Sequence, residues 1–324
     1  MGNVQRLSAV MALCAALLGF AGSSATGETA GRSAAPKPRI FARIGDQQVY
    51  GPVGSAFLLP GRQVKVRAFV SSLDPRFQVV ASGGQVTNTE RDDQWTWTAP
   101  RGAGVYPLWI ADERGGAGMR VNLFVMVPFA RAARGKLNGY PIGRYPRGES
   151  VYGLPEGFVE VTRENADTPV SPHFRLSQFV CKQESGYPKY VVLEPELVAK
   201  LERLLALVNQ HGIKATTLEI MSGYRTPKYN RSLRNVRYSA HQWGRAADVY
   251  IDEDHDGVMD DLNGDGRSDF RDVRVLSELA EEIDAGGEDE DGNLVGGLGV
   301  YRSTRHHGPF VHVDVRGYVA RWGG

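Results

Sequence analysis

Ser239-Ala240-His241-Gln242-Trp243-Gly244-Arg245-Ala246-Ala247-Asp248, read together with Phe310-Val311-His312-Val313-Asp314, decides the fold of the C-terminal half of this chain. The first stretch sets an imidazole and a carboxylate seven residues apart, with a glycine between them. Ala246 to Ile251 has the apolar character of a strand, and a turn through Gly244 can fold His241 and Asp248 onto one centre. The Phe310–Asp314 run is a further strand, supplying His312 from across a sheet. Two imidazoles and one carboxylate leave a tetrahedral zinc one open position for water, which suits a hydrolytic rather than a structural site. Taken alone, the spacing is a weak signal.

The sequence around these stretches mixes helix and strand. From Glu194 to Gln210, apolar Leu197, Val198, Leu201, Leu204, Leu205 and Val208 recur at intervals of three and four, the stripe of a core helix. Thr217 to Met221 reads as a short strand, Val275 to Ile283 as a second helix, and Leu298–Tyr301 and Phe310–Val315 as strands. With no regular βαβ repeat, residues 173–324 form an α+β domain around a central antiparallel sheet. Upstream, Arg39–Ile44, Gln63–Val70, Gln94–Thr98, Tyr106–Ile110 and Met119–Met126 alternate apolar and polar residues between Gly, Pro, Asp and Asn clusters. That pattern predicts an all-β, immunoglobulin-like sandwich over 37–128, with Trp95, Trp97 and Trp109 filling its core. Residues 129–172, rich in Gly, Pro, Arg and Tyr without a sustained period, read as an ordered connector between the two domains.

Composition narrows the function. The chain has 324 residues, 42% of them apolar, and 38 basic against 37 acidic side chains. A net charge of +1 gives no basic field to hold a phosphate backbone, so nucleic acid is not an expected partner. Arg6 followed by the apolar run Leu7–Phe20 and by Ser23-Ser24-Ala25 has the form of a cleaved signal peptide over 1–25, with 26–36 a flexible linker. The run is too short for a stable membrane span. The expected location is therefore outside the cytoplasm, periplasmic or extracellular. Cys14 lies inside the apolar run, which leaves Cys181 alone in the mature chain and no internal disulfide.

Ser222-Gly223-Tyr224-Arg225-Thr226-Pro227, Asn230, Ser239-x-His241-x-x-Gly244-x-Ala246-x-Asp248, Gly297-x-Gly299-x-Tyr301 and Phe310-Val311-His312-Val313-Asp314 occur in that order. Together they resemble the D-Ala-D-Ala carboxypeptidase and murein endopeptidase family of zinc peptidases, within the wider group that includes lysostaphin and hedgehog proteins. The resemblance runs from Phe174 to Trp322 and leaves the sandwich outside it. It implies His241, Asp248 and His312 as zinc ligands and Arg225 as the group that binds the substrate carboxylate or developing oxyanion, with a structural ion pair as the alternative role. Tyr224 and Ser239 would join Arg225 on the substrate side. A zinc so held lowers the pKa of bound water toward about 7, and a second group must carry a proton to the leaving amine.

That proton carrier is where the chain departs from its relatives. Many have His-x-His or a Glu shortly before the last ligand, whereas Phe310 and Pro309 stand here. His307, five residues upstream of His312, is the expected carrier, with His306 and Asp314 as alternatives.

An acidic stretch comes next, at 252–272. Counted from Asp261, the residues Asp261, Asn263, Asp265, Asp269 and Asp272, with Gly266 at the turn and the Arg267 carbonyl, have the oxygen-ligand spacing of a calcium loop. Asp252, Asp254, Asp256 and Asp260 form an overlapping half-loop, as in dockerin-like tandems. The later run Glu288–Asp291 lacks such spacing and reads as a solvated loop. Taken together, the expectations are an exported enzyme acting on peptidoglycan stem peptides with zinc and calcium as cofactors. The alternative is a wall-binding or protein-interaction module that keeps zinc only for its fold.

Overall fold

The computed structural model describes residues 40–70, 76–113, 118–146, 152–286 and 294–323. The expected signal peptide and linker, and the acidic run Glu288–Asp291, lie outside these residues. The chain divides into two compact units, Met1–Phe124 and Val125–Gly324.

In the first unit, period-two alternation becomes two sheets. One has the order β2 (Gln47–Tyr50), β1 (Ile40–Ile44), β4 (Gln63–Val70), β7 (Gln94–Thr98), β6 (Gln85–Asn88). The other runs β3 (Val53–Leu58), β9 (Gly118–Val125), β8 (Gly104–Asp112), β5 (Phe77–Ala81). On β4, Val64, Val66 and Ala68 are buried while Gln63 and Lys65 face out, as alternation requires. Trp97 is fully buried and donates its indole N–H to the Gly83 carbonyl at 3.0 Å, so a core aromatic also satisfies its one polar atom. Trp95 is buried too, and Trp109 is half-buried. The unit is an immunoglobulin-like sandwich.

The second unit opens with a small antiparallel sheet of β10 (Val127–Pro128), β11 (Gly157–Val161) and β12 (Lys189–Val191). Helix α1 (Pro195–Gln210) comes next, burying the predicted stripe Leu197, Val198, Leu201, Leu204, Leu205 and Val208. The main sheet contains β13 (Glu219–Ser222), β14 (Ala246–Tyr250), β15 (Gly297–Tyr301), β16 (Phe310–Asp314) and β17 (Ala320–Gly323), in the order β13-β14-β16-β15-β17. A short helix α2 (Pro227–Ser232) succeeds β13, and α3 (Phe270–Ala285) precedes β15.

The centre of this sheet is antiparallel, as expected, and its edge strand makes it mixed. β13, β14, β16 and β15 pair antiparallel in turn, but β17 runs parallel to β15. The chain leaves β16 at Asp314, beside the start of β15, and the short segment between Val315 and Val319 brings it back in at that same end. The second helix also begins earlier than its apolar stripe indicates. Asp269 accepts from the Arg271 N–H and Asp272 accepts from the Asp269 N–H, each at 2.7 Å, a capping box that extends the helix back to Phe270.

Helices and sheet are joined by a buried charge network. The Lys200 ammonium on α1, 1% exposed, donates to Asp284 on α3 at 2.7 Å and to the Asp314 carbonyl at 3.0 Å, and Arg321 on β17 reaches the other Asp284 oxygen at 2.7 Å. Burial, with a smaller push from the Arg321 charge, drives the Lys200 pKa down, and the carboxylates beside it work against that. Removing one member would strand a buried charge, at about 3–5 kcal/mol.

Glu194, which precedes α1, has its pKa raised to about 6, chiefly by burial. A carboxyl whose folded pKa lies above its unfolded value of about 4.3 withdraws stability as pH rises through that interval. Glu194→Gln is therefore expected to raise stability at pH 7 by about 1–2 kcal/mol. The gain should vanish below about pH 4.3, and denaturant melts at both pH values check this.

Candidate metal centre

A single row of residues across the main sheet builds the centre. In register, Ser222 on β13 faces Asp248 on β14, Asp248 faces His312 on β16, His312 faces Gly299 on β15, and Gly299 faces Trp322 on β17. Directly opposed residues share a face, so Asp248 and His312 meet because of strand pairing alone. His241 arrives from outside the sheet, on a 3₁₀ turn, Ala240–Trp243, that closes at Gly244. Gly244 adopts φ 65°, and a β-carbon there would run into the Val192 carbonyl, so only glycine allows this reversal. His241, Asp248 and His312 each offer a ligand atom within 4.8 Å of the others, and all three are buried.

The hydrogen bonds fix which nitrogen of each ring faces the centre. His241 Nδ1 meets the Gly223 carbonyl at 2.7 Å and so carries the proton, which turns its Nε2 toward His312 Nδ1, 3.2 Å away. His312 is held in reverse: Nε2 lies 3.2 Å from Asp314, and Nδ1 lies 2.8 Å from Asp248. A carbonyl or carboxylate behind each imidazole is the usual outer support of a metal-binding histidine. This donor set fits zinc. Burial pushes the His241 pKa down, favouring the neutral ring that a metal requires. Burial also works against charge on His312, but the hydrogen bonds it donates to the Asp248 and Asp314 carboxylates outweigh it and raise its pKa. For Asp248, burial favours the neutral acid, yet the two imidazoles more than offset it and hold the carboxyl well below its ordinary range.

Arg225 pairs through Nη2 with the outer oxygen of Asp248 and donates Nε–H to Ser222 Oγ at 2.7 Å. The ion pair weighed as its alternative role is thus present, while three of its five N–H donors are not used in these two contacts. Two expectations are corrected. Tyr224 is 1% exposed and its hydroxyl bonds that of Tyr145 at 2.9 Å, so it supports the core beneath the site rather than touching substrate. Asp314 is fully buried, paired with Arg316 and capped by the Gly297 N–H at 2.7 Å, which fits an orienting role for His312 and not proton transfer. Ser239 is also buried, at the start of the 3₁₀ turn. His306 is exposed, whereas His307 is half-buried, its ring edge-on to Phe310 at 5.1 Å. Neither belongs to the convergent group.

Trp322 has no place in the motif reading, although its ring centroid lies 5.1 Å from that of His312. The absence of a side chain at Gly299 makes room for it, since a β-carbon there would collide with the indole. The signal was the Gly297-x-Gly299-x-Tyr301 spacing, and Tyr301 is the acceptor of the Trp322 indole N–H at 2.8 Å.

The acidic loop folds differently from its spacing. Asp252, Asp254 and Asp260 bring carboxylate oxygens within 4.8 Å of one another. Asp261, Asp265, Asp269 and Asp272 do not converge in this way. Asp272 is fully buried and accepts from the N–H groups of Leu262, Asn263 and Asp269, while Asp261 accepts from Gly264, Asp265 and Gly266. Asp265 pairs with Arg271 at 2.7 Å, and Asp256 Oδ1 takes the Val258 N–H at 2.8 Å. Helix capping and turn formation consume the second half of the loop.

A buried His-Asp-His set on the face of an α+β sheet has the composition of a site that could hold a metal ion. Residues 172–264 match the model of the Peptidase M15 family, a span that includes Arg225, His241 and Asp248 and stops before His312. This match makes part of the C-terminal domain similar to the Peptidase M15 metallopeptidases. Among curated proteins none matches the chain. Solved structures resembling part of it include the Yersinia pseudotuberculosis adhesin InvE, with 15% identity over 27% of each chain and a TM-score of 0.20. Others are the immunoglobulin domains of the titin M10–obscurin-like 1 complex, with 14% identity, 28% of this chain, 97% of that one and a TM-score of 0.18, and Dscam1 Ig7, with 12%, 26%, 97% and 0.18.

Asp314→Asn weakens the acceptor behind His312 while keeping its shape. It should lower zinc affinity about 10–100-fold, measured by chelator competition on folded protein. Undiminished affinity would show that Asp314 does not orient the ligand.

Proposed function

We propose that the chain is an exported zinc peptidase that hydrolyses peptide bonds in the stem peptides of bacterial peptidoglycan, working in the periplasm or outside the cell. The observation that carries this reading is the pairing of Arg225 with Asp248, which sets a guanidinium with unused donors at the edge of the metal-binding set. A site that served folding alone could use the ion pair, but it has no use for the donors left over. Bound zinc would be held by His241, Asp248 and His312 and would supply Lewis acidity toward water and an amide carbonyl. Arg225 would take the substrate carboxylate or the developing oxyanion through its remaining N–H groups. His307, with Nδ1 at 2.8 Å from the Gly308 carbonyl, keeps Nε2 as a base and is the proposed proton carrier, with His306 as the exposed alternative. The N-terminal apolar run Leu7–Phe20 supports export.

Zinc-loaded protein incubated with purified muropeptides is expected to cleave them, releasing D-alanine if it is a carboxypeptidase or separating cross-linked dimers if it is an endopeptidase. His241→Ala should abolish turnover together with zinc, and His307→Ala should lower the rate about 10²–10⁴-fold with zinc retained. No cleavage by a zinc-replete wild type would favour the wall-binding module instead.

Calcium is proposed at the start of the acidic loop, where Asp252, Asp254 and Asp260 converge four residues beyond Asp248. Bound there, it would fix the end of β14 that presents the zinc ligand. Selective calcium removal, with zinc content verified, is expected to lower both the melting temperature and turnover. Melting and turnover unchanged after removal would count against the assignment.

A further inference from the structure

Behind the 3₁₀ turn that carries His241 lies a second site, which shares no ligand with the metal centre. It is a hollow of about 1000 Å³ bounded by the segment after β10, by α2 and by the residues just beyond α2. Four arginines line it, Arg134, Arg144, Arg231 and Arg237, and among the described residues no aspartate or glutamate does. Such a cluster does not arise from composition, because basic and acidic residues number 38 and 37 over the whole chain.

Several described arginines elsewhere are neutralised by acids. Arg67, Arg91, Arg225, Arg271, Arg316 and Arg321 all form ion pairs. Among the described residues, Arg134, Arg144 and Arg231 form no ion pair, and Arg237 lies only over the Tyr238 ring, 5.3 Å from its centre. Like charges around a concavity repel one another and focus a positive potential into it, and an anion relieves both effects.

The walls are built rather than incidental. Gly143 has φ 84°, and a β-carbon there would come within 2.5 Å of the Lys228 backbone nitrogen at the start of α2. The Lys228 N–H donates to the Ile142 carbonyl at 3.1 Å, and the Gly143 N–H donates to the Gly135 carbonyl at 2.9 Å. These contacts fix the Arg134 and Arg144 segments against the helix that bears Arg231. Asn230, in the same wall and 3% exposed, gives its Nδ2 to the Val236 carbonyl at 2.9 Å, while its buried Oδ1 has no hydrogen-bond partner among the described residues. An acceptor in that state is costly unless a donor reaches it.

We propose that this hollow binds a small multivalent anion, one carrying two or more carboxylate or phosphate groups together with an N–H or O–H donor for Asn230. Planar guanidinium forks suit either anion, since each can take two oxygens at once. Gln242 lies in the wall, next in sequence to His241, and its carbonyl accepts from the Tyr145 hydroxyl at 2.9 Å. An occupant would therefore brace the back of the turn that delivers His241, without entering the zinc site.

Calorimetric titration of the full chain with tripolyphosphate and, separately, with citrate, at ~0.15 M salt, tests the assignment. One-to-one saturable binding of at least one probe is expected, and the stronger probe identifies the phosphate or the carboxylate source. The double variant Arg144→Gln/Arg231→Gln should weaken that binding at least about tenfold, with circular dichroism and zinc content unchanged. Arg62→Gln/Arg76→Gln, which removes two exposed charges in the first unit, should leave it unaltered. Failure of both probes to saturate, wild-type affinity in the first variant, or equal weakening in the second would overturn the proposal. The readout is independent of muropeptide cleavage, so this site and the peptidase reading stand or fall separately.

Discussion

The rest of the C-terminal domain depends on one strand pairing, that of β14 with β16, which sets Asp248 opposite His312. Side chains alternate faces along a strand, so a slip of one residue would send one of the two ligands to the far side of the sheet. The same register determines the neighbours. Asp314, two residues beyond His312, returns to the same face and stands behind the ligands, bonded to Nε2 of the ring it orients. Its opposite number on β14 is Ala246, and on the other side Gly297, where a β-carbon would run into both Asp314 and Arg316, leaves that pair its room. At the two ends of the row, Ser222 holds Arg225 and Gly299 admits Trp322.

Such a concentration of buried charge requires a rigid surround. Lys200, Asp284 and Arg321 link α1, α3 and β17, and the Lys200 ammonium also binds the backbone carbonyl of Asp314. The lysine that ties the helices together thus also holds the strand end that carries the orienting carboxylate. A hydrophobic substitute could match its packing, but it could not donate to that carbonyl, and buried polar groups left unpaired lose about 1–3 kcal/mol each. The aromatic layer beneath the site works in the same direction. Tyr145 bonds both the Tyr224 hydroxyl and the Gln242 carbonyl, joining the Arg225 and His241 segments from below.

The legible part of the sequence was whatever is set by periodicity or by a short motif. Alternation located the sandwich strands, the stripe in Glu194–Gln210 located α1, and the two ligand stretches predicted that His241, Asp248 and His312 would meet, as they do. Direction and depth were beyond its reach. Tyr224 adjoins Arg225, but the turn after β13 sends one side chain into the core and the other to the metal-binding set. Asp314 has the residue type of a proton carrier, and only its burial and its two partners identify it as a support. The parallel β17 was hidden because Ala320–Gly323 is too short for any period to appear.

The acidic loop shows why spacing alone misleads. Aspartate is a good calcium ligand and an equally good acceptor for backbone N–H groups at a helix start, and both uses favour the same short intervals between acids. The next element along the chain decides between them. Asp269 and Asp272 stand directly before the apolar stripe of α3, where four N–H groups need acceptors, so the helix takes them. Asp252, Asp254 and Asp260 have no helix behind them; they sit where β14 has ended and accept only from turn N–H groups, those of Glu253, Asp256 and Gly257, so their carboxylates stay gathered near the strand that carries Asp248. The position of each acid relative to the adjoining helix or strand, and not its place in the spacing pattern, separates the two halves of the loop.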